Sequence, residues 1–178
     1  GGDAYINTVK NLGGNPEEPF VLFEETKELY ARRRKELKGI VAERYAAKAE
    51  WAKANPEKAA KMEKWFSGAA PEIDWTGFEQ KANQATRAAS AACLGVIAQQ
   101  VENMVVSSAD LSNSDKTDGF LKYTKAITKD DFSGAFLQAG VAELTMACLC
   151  LGMALHGGVL AACGTFFVFS DYMKPAVR

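Results

Sequence analysis

The chain has 178 residues and a mass of 19.2 kDa, with 48% hydrophobic and 24% charged residues. That is enough apolar surface for one domain of ordinary size with its own core, and too much for a disordered chain. The formal net charge of -1 leaves no basic excess with which to follow a nucleic-acid backbone.

The opening GGDAYINTVK lacks the basic and apolar regions of a signal peptide, and the Gly-, Asn- and Pro-rich stretch as far as Pro19 is turn chemistry, so the opening is expected to be loop. From Glu24 to Ala54 apolar groups recur every three or four residues, among them Leu29, Leu37, Tyr45 and Trp51, which predicts a long helix with a narrow apolar stripe. Its Arg32 to Lys35 cluster is interleaved by Glu28, Glu36, Glu43 and Glu50, the pattern of a salt-bridged solvated face rather than of an RNA-binding one. Asn55-Pro56-Glu57 stops that helix and starts a second, with Asn suited to the cap and Pro to the first helical position. The second helix ends at Ser67-Gly68 and a linker follows, so residues 1–74 are expected to be a helical connector and residues 75–178 the compact domain.

Within that domain a helix is predicted over Thr86 to Gln100, with Ala89, Cys93, Val96 and Ile97 inward. A short strand over Asn103 to Ser107 and a polar loop over Asp110 to Gly119 follow. Val141 to Leu155 reads as a helix apolar around most of its circumference, which implies burial between layers, and Gly157-Gly158 ends it. Val159 to Ala162 suggests a strand, and Thr165 can cap a further helix with Phe166, Phe169, Tyr172 and Met173 on one face, although Pro175 opposes its continuation. Helices alternating with short strands indicate an α/β fold with a small parallel sheet.

Charge is unevenly spread. Residues 1–80 carry 13 Lys or Arg and 14 Asp or Glu, whereas residues 81–178 carry 8 of each, so the first part reads as solvated and the second as buried on several sides. Between Phe132 and Ser170 the one Asp, Glu, Lys or Arg is Glu143. A carboxylate buried without a partner costs several kcal/mol or takes up a proton, so Glu143 either reaches solvent at the core edge, finds a partner, or is held for a purpose. Cys93, Cys148, Cys150 and Cys163 lack a metal-ligand rhythm, and with His156 as the only His a Cys/His zinc site is not expected. Free thiols fit a reducing cytoplasm, and no uninterrupted apolar run is long enough for a membrane span.

There is no glycine-rich dinucleotide or phosphate loop, no HExxH and no EF-hand spacing. Asp110, Asp115 and Asp118 could bind a metal or form an ordinary solvated turn. Ligands of open α/β sheets sit beyond the carboxyl ends of strands, which draws attention to the loop from Asp110 to Ser114. Ser114 could donate to an anion neutralised by Arg87, and Phe166, Phe169 and Tyr172 could stack on a flat heterocycle whose ring nitrogen bonds Glu143; each residue could equally be structural.

The segments SADLSNSDKT (108–117), GVAELTMACLCLGMALHGG (140–158) and GTFFVFSDYMKPAVR (164–178) resemble the middle of transketolase of bacterial type, a thiamine-diphosphate enzyme, and the likeness extends over essentially the whole chain. The resemblance implies a partial parallel-sheet pyrimidine-binding domain, preceded by a helical connector and truncated at its C-terminal side. It implies that Glu143 contacts N1′ of the aminopyrimidine, that Phe166, Phe169 and Tyr172 pack around that ring, and that Asp110 lies close to the cofactor. Arg87, in TRAAS, and Ser114 match ligands of the sugar phosphate.

The implied reaction of the complete enzyme moves a two-carbon ketol unit between ketose and aldose phosphates in a cytoplasmic homodimer with its site at the subunit interface. The diphosphate and a Mg2+ or Ca2+ ion would be held by a domain outside this chain, so the fragment alone is expected to be inactive, and no metal ligand is assigned within it. Gly140-Val141-Ala142-Glu143 departs from the frequent GVRE, removing any role of that Arg while keeping the Glu, and SSADL replaces the commoner GSADL. His156 is not assigned a catalytic role. The alternatives are another thiamine-diphosphate enzyme, such as 1-deoxyxylulose-5-phosphate synthase or dihydroxyacetone synthase, and a non-catalytic scaffold that retains part of the fold.

Overall fold

A computed structural model describes residues 2–178, which form two compact units, one ending at Pro56 and the other spanning Glu57–Arg178. The first unit holds helices α1 (Asp3–Asn11) and α2 (Glu24–Ala54). The expected loop is thus helical at its start. Tyr5, Ile6 and Val9 supply a short apolar face, Asp3 and Lys10 suit the two ends of the helix dipole, and the turn-forming residues act only from Asn11 onward.

α2 covers the predicted span and buries none of its residues. Its surface pairs, Lys27 with Glu24 at 2.6 Å, Lys53 with Glu50 at 2.6 Å, and Arg33 with Glu36, are solvated one-turn contacts. Each contributes only about 0.3–0.5 kcal/mol. Asn55 does not cap the next helix as expected; its Nδ2 donates to the carbonyl of Trp51 at 3.0 Å and closes α2.

The second unit is built on three parallel strands, β1 (Met104–Ser108), β2 (Phe136–Gln138) and β3 (Leu160–Gly164), in the order β2-β1-β3. Around them run α3 (Pro56–Phe66), α4 (Thr86–Gln100), α5 (Ser112–Asp115), α6 (Asp118–Leu121), α7 (Glu143–His156), a 3-10 turn (Phe167–Phe169) and α8 (Ser170–Val177). The register pairs Val106 with Phe136 and Ser108 with Gly164. All three strands therefore end at the same edge of the sheet.

β1 is central, and its last three residues are buried. Val106, Phe120 and Phe136 form the core, with Leu94 and Ala98 of α4 packed against them. On α4 Gly95 is buried, and the expected Ala89, Cys93, Val96 and Ile97 are half-buried, as are Leu94 and Ala98, the two that meet this cluster. α6 approaches α4 so closely that a Cβ at Gly119 would stand 2.3 Å from the carbonyl oxygen of Ala91, so glycine is required there. α7 packs along β3 and buries Met146, Ala147 and Cys150. The thiols of Cys150 and of Cys163 in β3 interact, which holds Cys163 below and pushes Cys150 above the ordinary thiol range.

β2 has no counterpart among the predicted elements. It is three residues long and lacks alternation, and its pairing with β1 is what holds it extended. The expected loop over Asp110 to Gly119 contains the short helices α5 and α6 instead. Nor does Thr165 act as a cap: Phe166 precedes the 3-10 turn, no side chain caps it, and Thr165 Oγ1 is buried without a partner. Pro175 nevertheless lies inside α8, in its last turn.

Candidate active site

Each of the three strands ends in a segment that turns toward one cleft. After β1 the chain passes through Ala109, Asp110 and Leu111; after β2 it turns at Gly140, with φ 67°, into α7; after β3 it reaches the aromatic residues of the 3-10 turn and α8. The cleft has a volume of about 550 Å³ and is lined by Asp110, Leu111, Glu143, Thr145, Phe169 and Tyr172, together with neighbouring backbone and aliphatic groups. It lies beyond the carboxyl ends of strands, where open α/β sheets bind their ligands.

Glu143 is the first residue of α7 and is 8% exposed. A carboxylate at that position sits in the favourable field of the helix N-terminus. Among the described residues no side chain forms an ion pair with it. The side chain as a whole is largely buried, and it lines the cleft. It stands as a hydrogen-bonding group on the wall of an apolar cleft.

Asp110 occupies the rim, exposed, with a backbone φ of 62° that a non-glycine residue adopts only at some cost. Phe166 stacks on Phe169 with centroids 6.1 Å apart and planes 14° apart, and Phe169 stacks on Tyr172 at 6.3 Å and 26°. The three rings form a ladder. Phe169 and Tyr172 face the cleft, and Phe166 backs Phe169 without lining it.

Arg87 and Ser114 are brought together, since Arg87 Nη1 donates to the main-chain carbonyl of Ser114 at 3.2 Å. Neither lines the cleft. His156 stands at the far end of α7 from Glu143, exposed, with its ring edge-on to Phe66 at 5.7 Å. Asp110, Asp115 and Asp118 do not converge, and among the described residues no group of three or more His, Cys, Asp or Glu could hold a metal ion.

Leu111 and Thr145 were not anticipated as cleft residues, although Leu111 directly follows Asp110 and Thr145 lies two residues after Glu143. Ser108 was not singled out, and Asp115 was considered only as a metal ligand or a solvated turn residue. Asp115 Oδ1 accepts hydrogen bonds from the backbone N–H and the hydroxyl of Thr117, both at 2.8 Å, and Oδ2 accepts one from the Ser108 hydroxyl at 2.7 Å. Asp followed two residues later by Thr was a legible sign of an Asx turn.

The model of a family described as transketolase, pyrimidine binding domain, matches residues 82–178. With the parallel sheet and the cleft at its strand ends, this defines the class of the second unit as a pyrimidine-binding α/β domain. The transketolase of Halalkalibacterium halodurans is 35% identical over 180 residues, covering 99% of this chain and 26% of the relative, and that of Bacillus subtilis is 40% identical over 127 residues, covering 69% and 19%. Among solved structures, the Pichia stipitis transketolase complex with sedoheptulose-7-phosphate superposes with a TM-score of 0.80 at 29% identity, covering 95% of this chain and 26% of that one. Leishmania mexicana transketolase, at 24% identity and a TM-score of 0.80 over all of this chain and 27% of that one, shares the fold. The chain belongs to the transketolase family. It spans about a quarter of the length of the relatives it matches. Among the described residues no helix is long and apolar enough to cross a membrane.

Proposed function

We propose that the complete protein is a transketolase, which moves a two-carbon ketol unit from a ketose phosphate to an aldose phosphate, and that this chain supplies the wall of the active site facing the pyrimidine of thiamine diphosphate. The observation that carries the reading is the burial of Glu143 in a cleft it shares with Phe169, Tyr172 and Asp110. The donor set suits the cofactor's pyrimidine, which asks for a planar apolar surface and one carboxyl group toward a ring nitrogen.

When bound, thiamine diphosphate supplies the electron sink for the two-carbon transfer. Glu143 holds a proton at N1′ of the aminopyrimidine, a task favoured by a site from which competing water is largely excluded. Phe169 and Tyr172 flank the ring, with Phe166 stiffening Phe169 from behind. Asp110 sits at the entrance, beside the path of the substrate. Arg87 and Ser114 bind the sugar phosphate through a charge-assisted clamp and a hydroxyl, a pairing supported by their contact across α4 and α5.

The diphosphate and its Mg2+ or Ca2+ are assigned to residues outside this chain. Residues 1–74 are assigned as connector and 75–178 as pyrimidine-binding domain. A homodimer with the site at its interface is supported by an exposed apolar stripe of α7, where Leu144, Leu151 and Leu155 are left uncovered. A cytoplasmic setting is supported by the four free cysteines. The relatives matched are transketolases, which favours sugar-phosphate donors over the pyruvate used by 1-deoxyxylulose-5-phosphate synthase.

Glu143→Gln in the complete protein tests the reading. It keeps the shape of the side chain and removes its acid–base capacity, so kcat should fall by about 10²–10⁴-fold in ketol transfer between sugar phosphates. Retention of wild-type kcat in that variant would refute the assignment.

A further inference from the structure

We propose that Asp115 is a positioning residue that, through Ser108, sets the β1–α5 turn carrying Asp110 and Leu111 into the cleft. The inference rests on the reading of that cleft as the thiamine-diphosphate site. Asp115 itself does not line the cleft, and it touches the site only through other residues.

Its carboxylate is fully used. Oδ2 accepts the Ser108 hydroxyl at 2.7 Å, and Ser108 Oγ in turn accepts the N–H of Leu111 at 3.3 Å. Ser108 is 2% exposed, so a hydroxyl deprived of this acceptor would have no water to turn to. Between Ser108 and Leu111 lies Asp110 at φ 62°, a conformation that persists only where its surroundings enforce it. The bonds on either side of that strained residue are the enforcement.

The other oxygen secures the far side of the same loop, taking both the N–H and the hydroxyl of Thr117 at 2.8 Å. Thr117 rests against Gly164, the last residue of β3 and the strand partner of Ser108. One carboxylate thus joins the end of β1, the turn after it and the end of β3, from which the aromatic ladder departs. Loosening it should let Asp110 relax toward an ordinary backbone conformation and leave the rim of the cleft.

The test compares Asp115→Ala and Asp115→Asn in the complete protein. Hydrogen exchange of the Leu111 amide in the cofactor-free protein should rise at least about tenfold in Asp115→Ala. Asp115→Asn should give an intermediate rise, because Oδ1 still serves Thr117 and Nδ2 can donate to Ser108 Oγ, while the Ser108 hydrogen loses its acceptor. Titration with thiamine diphosphate and Mg2+ should show a half-saturation raised about tenfold in Asp115→Ala, with kcat recovered at saturating cofactor. That split between affinity and turnover is not what general destabilisation produces. Unchanged exchange at Leu111, or altered exchange with unaltered half-saturation, would overturn the proposal. Failure of the wild-type protein to respond to thiamine diphosphate would instead strike the reading of the cleft, while the exchange data would still judge the brace. If Asp115→Ala does not fold, Ser108→Ala, which removes the same link and leaves Thr117 held, should give the same pattern.

Discussion

Gly164→Ala offers a sharp test of how the strand end supports the site. The added Cβ would lie 2.5 Å from Thr117 Cγ2, inside any tolerable contact, while the next neighbour, Asp115 Oδ2, is at an ordinary 3.6 Å. Thr117 cannot simply rotate away, because its hydroxyl and N–H are both bound to Asp115. Overpacking of this kind costs about 1–3 kcal/mol. For a chain of this size each kcal/mol lowers the thermal midpoint by roughly 2–4 °C. Thr117→Ser removes the offending methyl and keeps the hydroxyl, at a cost of about 1 kcal/mol for the lost buried carbon. If the clash is the cause, the double variant should be no less stable than Thr117→Ser alone, a coupling of about 1–3 kcal/mol of the rescuing sign. Calorimetric or urea unfolding of the four proteins measures it. Additive losses in the double variant would refute the reasoning, since the methyl would then not be what the new side chain meets.

The carboxyl group of Asp131 is held below the ordinary carboxylate range, first by Lys125 Nζ at 2.5 Å and then by the hydroxyl and N–H of Ser133. Its folded value lies below its unfolded one, so its contribution to stability is complete above the unfolded value and is lost as pH falls through the folded one. Carbon-13 NMR should find its midpoint below 3.8, and Lys125→Ala should raise it; a midpoint at or above 3.8 in the wild type contradicts the ion-pair account. Calorimetry of the 178-residue chain with thiamine diphosphate and Mg2+ should show no low-micromolar binding, because most of the anchoring energy is assigned to the diphosphate and metal; tight binding would mean that the pyrimidine wall suffices.

Much of the helical framework was legible. The span of α2 follows from a sustained 3.6-residue period closed by Asn55-Pro56, and α7 from an apolar run closed by two glycines, because such patterns are local and long. β2 and α1 were not legible. Three residues of strand carry too little pattern, and nine of helix were outweighed by the turn-forming composition that follows them. Asp115 read as a metal ligand or an ordinary turn residue, and its meaning depends on Ser108, seven residues earlier, meeting it across the end of a strand.

The sequence by itself determined that one carboxylate, Glu143, stands in a long uncharged stretch, and that three aromatic residues share a face at helical spacing. Only the tertiary structure decided that these meet. The parallel register of β1, β2 and β3 brings three strand ends to one edge, and so assembles Asp110, Glu143 and Phe169 from segments that are remote along the chain. Periodicity acts over one or two turns, whereas strand pairing is a long-range choice driven by burial of Val106 and Phe136, and it is that choice which makes a cleft.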